Sequence, residues 1–85
     1  MDKVKVVISD AQFIIRLGIQ EVLKMDNQFE CIGECANANE LKKLISQTNP
    51  DIVTIDYAQL GFFSLEDIKF LQTHSPQTKV LVISD

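Results

Sequence analysis

The sequence predicts an α/β fold built on one parallel sheet. Three observations carry this: short β-branched apolar runs recur along the chain, amphipathic stretches of helical spacing separate them, and each run ends in a polar residue. The 85 residues, 46% of them hydrophobic, suffice for one domain with a modest core and are too few for two. A single domain over residues 1–85 is the expectation.

Val4-Lys5-Val6-Val7-Ile8 is nearly all apolar, the pattern of a strand buried on both faces, and it stops at Ser9-Asp10. Over residues 11–25, Ile15, Ile19, Val22 and Leu23 recur at helical spacing, with Gln20, Glu21 and Lys24 opposite them and Arg16 on the exposed face. Asp26-Asn27 breaks that helix. Residues 29–36 then alternate, with Phe29, Cys31, Gly33 and Cys35 on one face and Glu30, Ile32 and Glu34 on the other, as in a half-exposed edge strand. Asn37 is the N-cap of a second helix that carries Leu41, Leu44 and Ile45 and ends before Asn49-Pro50, because a residue preceding proline leaves the helical region. Residues 51–56 make another short buried strand. After a loop over 57–63, Ser64-Leu65-Glu66-Asp67 opens a third helix in the manner of a capping box. It buries Leu65, Ile68 and Leu71 and stops by His74-Ser75-Pro76, and residues 79–84 form a fourth strand.

Strictly alternating strands and helices imply right-handed crossovers and a sheet with helices on both faces. In the flavodoxin-like order 2-1-3-4, strands one and three are neighbours, and ligands bind beyond the carboxyl ends of the strands where the order reverses. Those ends carry Ser9-Asp10, Asp56 and Ser84-Asp85. Polar residues follow buried strands in any protein, which accounts for one of these acids better than for their coincidence. As neighbours, Asp10 and Asp56 repel each other, and a divalent cation relieves the repulsion. Mg2+ suits the pair, since it takes one or two carboxylates, keeps several waters and leaves room for a phosphoryl oxygen. A glycosidase-type acid and base pair would need an aromatic-lined cleft that so short a chain does not offer.

Composition narrows the partners. The net charge is −4 and Lys and Arg do not cluster, so direct contact with nucleic acid is not expected. Neither a bilayer-length apolar run nor the region order of a signal peptide is present, which points to the cytoplasm. Cys31 and Cys35, four apart in a strand, point the same way and lie too far apart for an unstrained bridge, so both are read as free thiols. The one histidine, His74, sits far from them and reads as a solvated helix end that interacts with the dipole.

Four stretches carry a family resemblance: Val6-Val7-Ile8-Ser9-Asp10 with Arg16-Leu17-Gly18, Ile32-Gly33-Glu34-Cys35-Ala36-Asn37, residues 50–56, and residues 79–84. Over nearly its whole length the chain resembles the receiver domain of two-component response regulators, most of all the LuxR/NarL-type subgroup fused to a helix-turn-helix output domain. The resemblance implies that Asp56 is the phosphoacceptor, charged by a histidine kinase. It further implies that Asp10 is one acid of the metal-binding pair, that Ala58 lends the metal a backbone carbonyl, and that Ser84 is the hydroxyl that senses the phosphoryl group.

The chain departs from the family in several places. Ala11 stands where the second acid of the pair is usual, which predicts weak Mg2+ binding. Leu60 replaces a proline, and Phe62-Phe63 makes the loop beside the acceptor apolar, suited to packing with Tyr57 or to a partner. The helix, lysine-bearing strand and last helix that end a receiver are not matched, so the fold is expected to be incomplete. That leads to one of two expectations, a fragment of a longer receiver or a homodimer or swapped dimer that covers the open surface. In function, a phosphorylatable receiver and a degenerate one acting by protein contact remain open, and neither is an enzyme with a substrate of its own. A small flavin or nucleotide binder would use the same crevice, but Gly18, Gly33 and Gly61 form no phosphate-cradling turn.

Overall fold

The computed structural model describes residues 3–56 and 65–83, and of Asp56, Leu65 and Ile68 the backbone alone. In chain order the elements are β1 (Val4–Ser9), α1 (Phe13–Lys24), β2 (Phe29–Cys35), α2 (Ala38–Gln47), β3 (Ile52–Asp56), α3 (Leu65–His74) and β4 (Lys79–Ile83). The four strands are parallel and ordered β2-β1-β3-β4, the order expected from the sequence. Sandwiched between β2 and β3, β1 places Val6, Val7 and Ile8 at 2% exposure or less, which is why its run of β-branched residues is almost unbroken.

The strand β2 departs from simple alternation. Its register against β1 shifts by one residue, from Val6 opposite Cys31 to Val7 opposite Gly33. Val6 and Val7 point to opposite faces, so Cys31 and Gly33 do too, and the two cysteines lie on opposite sides of the sheet rather than on one. Ile32 joins the core cluster with Leu44, whereas Glu34 turns toward α1, where it meets Arg16. Gly33 sits hard against α2, since a Cβ there would lie 2.7 Å from Leu44 Cδ2. Both cysteines are free.

Local chemistry sets the helix boundaries. α1 starts two residues later than the periodicity predicts because Asp10 Oδ1 accepts the Gln12 N–H at 2.8 Å, a turn that keeps residues 11 and 12 out of the helix. α2 is capped from both directions. Asn37 Oδ1 accepts the Glu40 N–H at 2.9 Å, and Glu40 Oε1 reaches back to the Ala36 N–H at 2.8 Å. Lys42 ties α2 to α3 through Asp67 at 2.6 Å, and His74 stacks on Phe70 at 4.0 Å between centroids while its Nδ1 lies 3.1 Å from the Phe70 carbonyl.

Asp51 joins three strands at the amino edge of the sheet. Its Oδ2 accepts the Lys5 N–H at 2.8 Å, its N–H donates to the Lys5 carbonyl at 2.8 Å, and its carbonyl accepts the Lys79 N–H at 2.9 Å. The sequence offered two aspartates in residues 50–56, and this one is structural.

The two faces of the sheet are packed unequally. On the side of α2 and α3, Val7, Cys35, Leu41, Ile45, Val53, Ile55 and Leu71 form one buried cluster. On the other side α1 buries none of its residues, contrary to the expected inward stripe of Ile15, Ile19, Val22 and Leu23; Val22 is 63% exposed. The helix packs mainly over β1 and β2, leaving an apolar groove of about 450 Å3 between Ile14, Ile15, Ile19, Val22 and Ile83. β4 is exposed along its whole length.

This inequality predicts unequal mutational costs. Leu41→Ala, at a fully buried position, should lose about 2–5 kcal/mol in chemical denaturation. Ile14→Ala, at a position 71% exposed, should stay within about 0.5 kcal/mol of the parent.

Candidate functional site

The carboxyl edge of the sheet is where β1 and β3 deliver their last residues side by side. Ser9 pairs with Ile55, so the same register continued by one residue sets Asp10 level with Asp56, which in turn pairs with Ile83 of β4. Asp10 is 3% exposed and held at every backbone polar group. Its N–H donates to the Cys35 carbonyl at 3.1 Å, and its carbonyl accepts from Arg16 Nη1 at 2.7 Å. Its carboxylate turns back to cap Gln12.

Arg16 is not the solvated helix-face residue expected from the sequence. With its side chain 14% exposed, it lies against the end of the sheet and donates through Nε to Glu34 Oε1 at 2.7 Å while Nη1 holds Asp10. Gln20 donates to the other Glu34 oxygen, and the Phe13 ring lies 5.6 Å from the guanidinium carbon. The reason is geometric: the Asp10 carbonyl lies just past the β1 ladder and needs a donor, and Arg16 is one helical turn into α1. The register shift in β2, which no periodicity reveals, brings Glu34 to the same place.

Of the residues expected at the site, the structure brings Asp10 and the Asp56 backbone together. The Asp56 side chain, Ala58, Ser84 and Asp85 lie outside the description, as do Tyr57, Leu60, Gly61, Phe62, Phe63 and Ser64. Ala11 is exposed and provides no side-chain ligand. Among the described residues no three His, Cys, Asp or Glu converge as a metal site. The donor chemistry nevertheless fits a hard cation. Asp10 is a buried carboxylate, and among the described residues no Lys or Arg side chain pairs with it, since Arg16 takes the carbonyl instead. A lone buried carboxylate lacks the countercharge that such burial calls for.

No protein-family model matches the chain. The signal receiver domain of the response regulator NarL from Mycobacterium tuberculosis superposes with a TM-score of 0.86 at 26% identity, over 99% of this chain and 68% of that one. The chain is a relative of response-regulator receiver domains. Among curated proteins this chain is 26% identical over 83 residues to the nitrate/nitrite response regulator protein homolog of Haemophilus influenzae, covering 98% of the chain and 40% of the relative. It is also 32% identical over 80 residues to a protein-glutamate methylesterase/protein-glutamine glutaminase of Agrobacterium fabrum, covering 94% of the chain and 23% of that protein. The chain thus spans well under half the length of these curated relatives. Among the described residues no helix is long and apolar enough to cross a membrane.

Of the two cysteines, Cys35 lies opposite Ser9 at this edge and Cys31 lies opposite Val6, further back along β2. Burial pushes the Cys35 thiol up, with the Glu40 and Glu34 carboxylates adding to the rise and the Ser9 hydroxyl and Arg16 opposing it. Cys31 is raised for the same first reason, with a backbone hydrogen bond at Gly33 offsetting part of the rise. A raised thiol carries little thiolate near neutral pH, which disfavours it as a nucleophile. A thiol held neutral in the fold stabilises it below the ordinary thiol range, and that contribution is lost as pH rises through the folded value. Iodoacetamide at pH 8 followed by intact mass should label Cys31 slowly and leave Cys35, which is 3% exposed, unmodified until denaturant is added.

Proposed function

We propose that this receiver accepts a phosphoryl group on Asp56 from a phosphorylated histidine kinase, and that Asp10 and Asp56 together supply the carboxylates for a divalent cation at the same edge. The observation that carries the reading is the pairing of β1 with β3, which sets Asp10, buried and without a cationic partner among the described residues, level with Asp56. In the transfer, an Asp56 carboxylate oxygen forms the new O–P bond, the P–N bond to the kinase histidine breaks, and the imidazole leaves with a proton. A bound Mg2+ would offset charge gathering on the phosphoryl oxygens. Ala58 would add its backbone carbonyl to that cation, and Ser84 would turn its hydroxyl to the phosphoryl group and shift the neighbouring loop. By analogy with the response regulators it resembles, the module would govern an output such as a DNA-binding domain and transcription.

A second reading is favoured by Ala11 and by the open α1 face: a degenerate receiver that works by protein contact, including contact with a second copy of itself. Intact-protein mass after incubation with acetyl phosphate and Mg2+ separates the two. The phosphoacceptor reading expects an added phosphoryl mass that disappears in Asp56→Asn. A folded sample that gains no mass, with or without Mg2+, would leave the contact module.

A further inference from the structure

We propose that Arg16 is a positioning residue for the acidic site, fixing the Asp10 carboxylate for a divalent cation by clamping the backbone carbonyl of the same residue. The inference rests on the phosphoacceptor reading and adds to it a part that the strand-end acids do not reveal. Asp10 is the first residue past β1, where the ladder no longer holds the chain. Its N–H is still paired with Cys35, but its carbonyl has Arg16 Nη1 as its donor at 2.7 Å. Rotation of that peptide would carry the carboxylate with it, because the side chain springs from the atom between the two bonds. A guanidinium stops the rotation well, as its planar fork can hold two acceptors at once, here the Asp10 carbonyl and Glu34 Oε1.

A positive charge so near a cation site would normally compete with the cation. Glu34 removes the conflict, since its carboxylate meets Arg16 at 2.7 Å and makes the clamp neutral as a unit. Gln20, bonded to the second Glu34 oxygen, keeps that carboxylate in place. The clamp therefore has two separable parts, a mechanical one in Arg16 and an electrostatic one in Glu34. Outer groups that orient a metal ligand typically control affinity by about 10- to 100-fold.

The test is Mn2+ binding to the whole chain, followed by loss of the free-ion signal in electron paramagnetic resonance. Parent, Arg16→Ala, Glu34→Gln and Ile45→Val are compared, with circular dichroism confirming that each is folded. Ile45 belongs to the core on the opposite face of the sheet, so its variant reports what mere loss of stability does. Arg16→Ala should bind Mn2+ about tenfold more weakly. Glu34→Gln should also bind more weakly, through uncompensated charge, and Ile45→Val should match the parent. If Arg16→Ala does not fold, Arg16→Lys replaces it; Lys keeps the charge but loses the fork, so weakened binding supports the clamp. Parent-like binding in the Arg16 variant overturns the inference while leaving the phosphoacceptor reading intact, as does an equal loss in Ile45→Val. A parent that neither binds Mn2+ nor takes up a phosphoryl mass overturns both.

Discussion

The burial of β1 between two parallel neighbours is the constraint on which everything else depends. Its Val6, Val7 and Ile8 have essentially no exposed surface, so the strand cannot shift by one residue without driving each side chain to the wrong face. β3 is registered against it, and the register carries Asp10 and Asp56 to a common level. The crossover helices follow, because parallel neighbours can be joined only by a long right-handed excursion over the sheet. A site at the carboxyl edge is thus a consequence of the same burial that stabilises the sheet.

At that edge the chain must leave the ladder, and the way it leaves decides what the edge can do. Asp10 spends one carboxylate oxygen on the turn into α1, its N–H on Cys35 and its carbonyl on Arg16. Three short contacts thereby define one residue, and one of them, to Cys35, comes from an element distant in sequence. At the other end of the strands Asp51 plays a comparable part for backbone alone, linking β1, β3 and β4. The two ends differ in what remains over: at the amino edge the aspartate is used up in holding strands, while at the carboxyl edge a buried charge is left without a countercharge among the described residues.

The sheet is also asymmetric from face to face. α2 and α3 seal one side over a continuous apolar cluster and are tied together by Lys42 and Asp67. On the other side α1 covers β1 and β2, and its apolar residues toward β4 stay open to solvent. The charged contacts of α1 are concentrated at the sheet edge, through Arg16, Gln20 and Glu34, instead of along its apolar stripe. The clamp thus adds to the packing of that helix over β1 and β2.

The sequence by itself determined the element order, the parallel sheet and the acids at the strand ends, because burial period and turn residues are local signals, whereas the strand order came from the likeness to the flavodoxin-like fold. Asn37 and Asn49-Pro50 bounded α2 correctly for the same reason. Three things were decided only by tertiary structure. The register shift in β2 separated the two cysteines and turned Glu34 toward α1, and it arises from pairing with β1, which no alternation within β2 records. Arg16 left the exposed face expected for it because an acceptor at the end of another element needed a donor. Helical spacing marked the stripe of α1 as apolar, but whether a stripe is covered depends on what lies opposite, and that is a property of the folded chain alone.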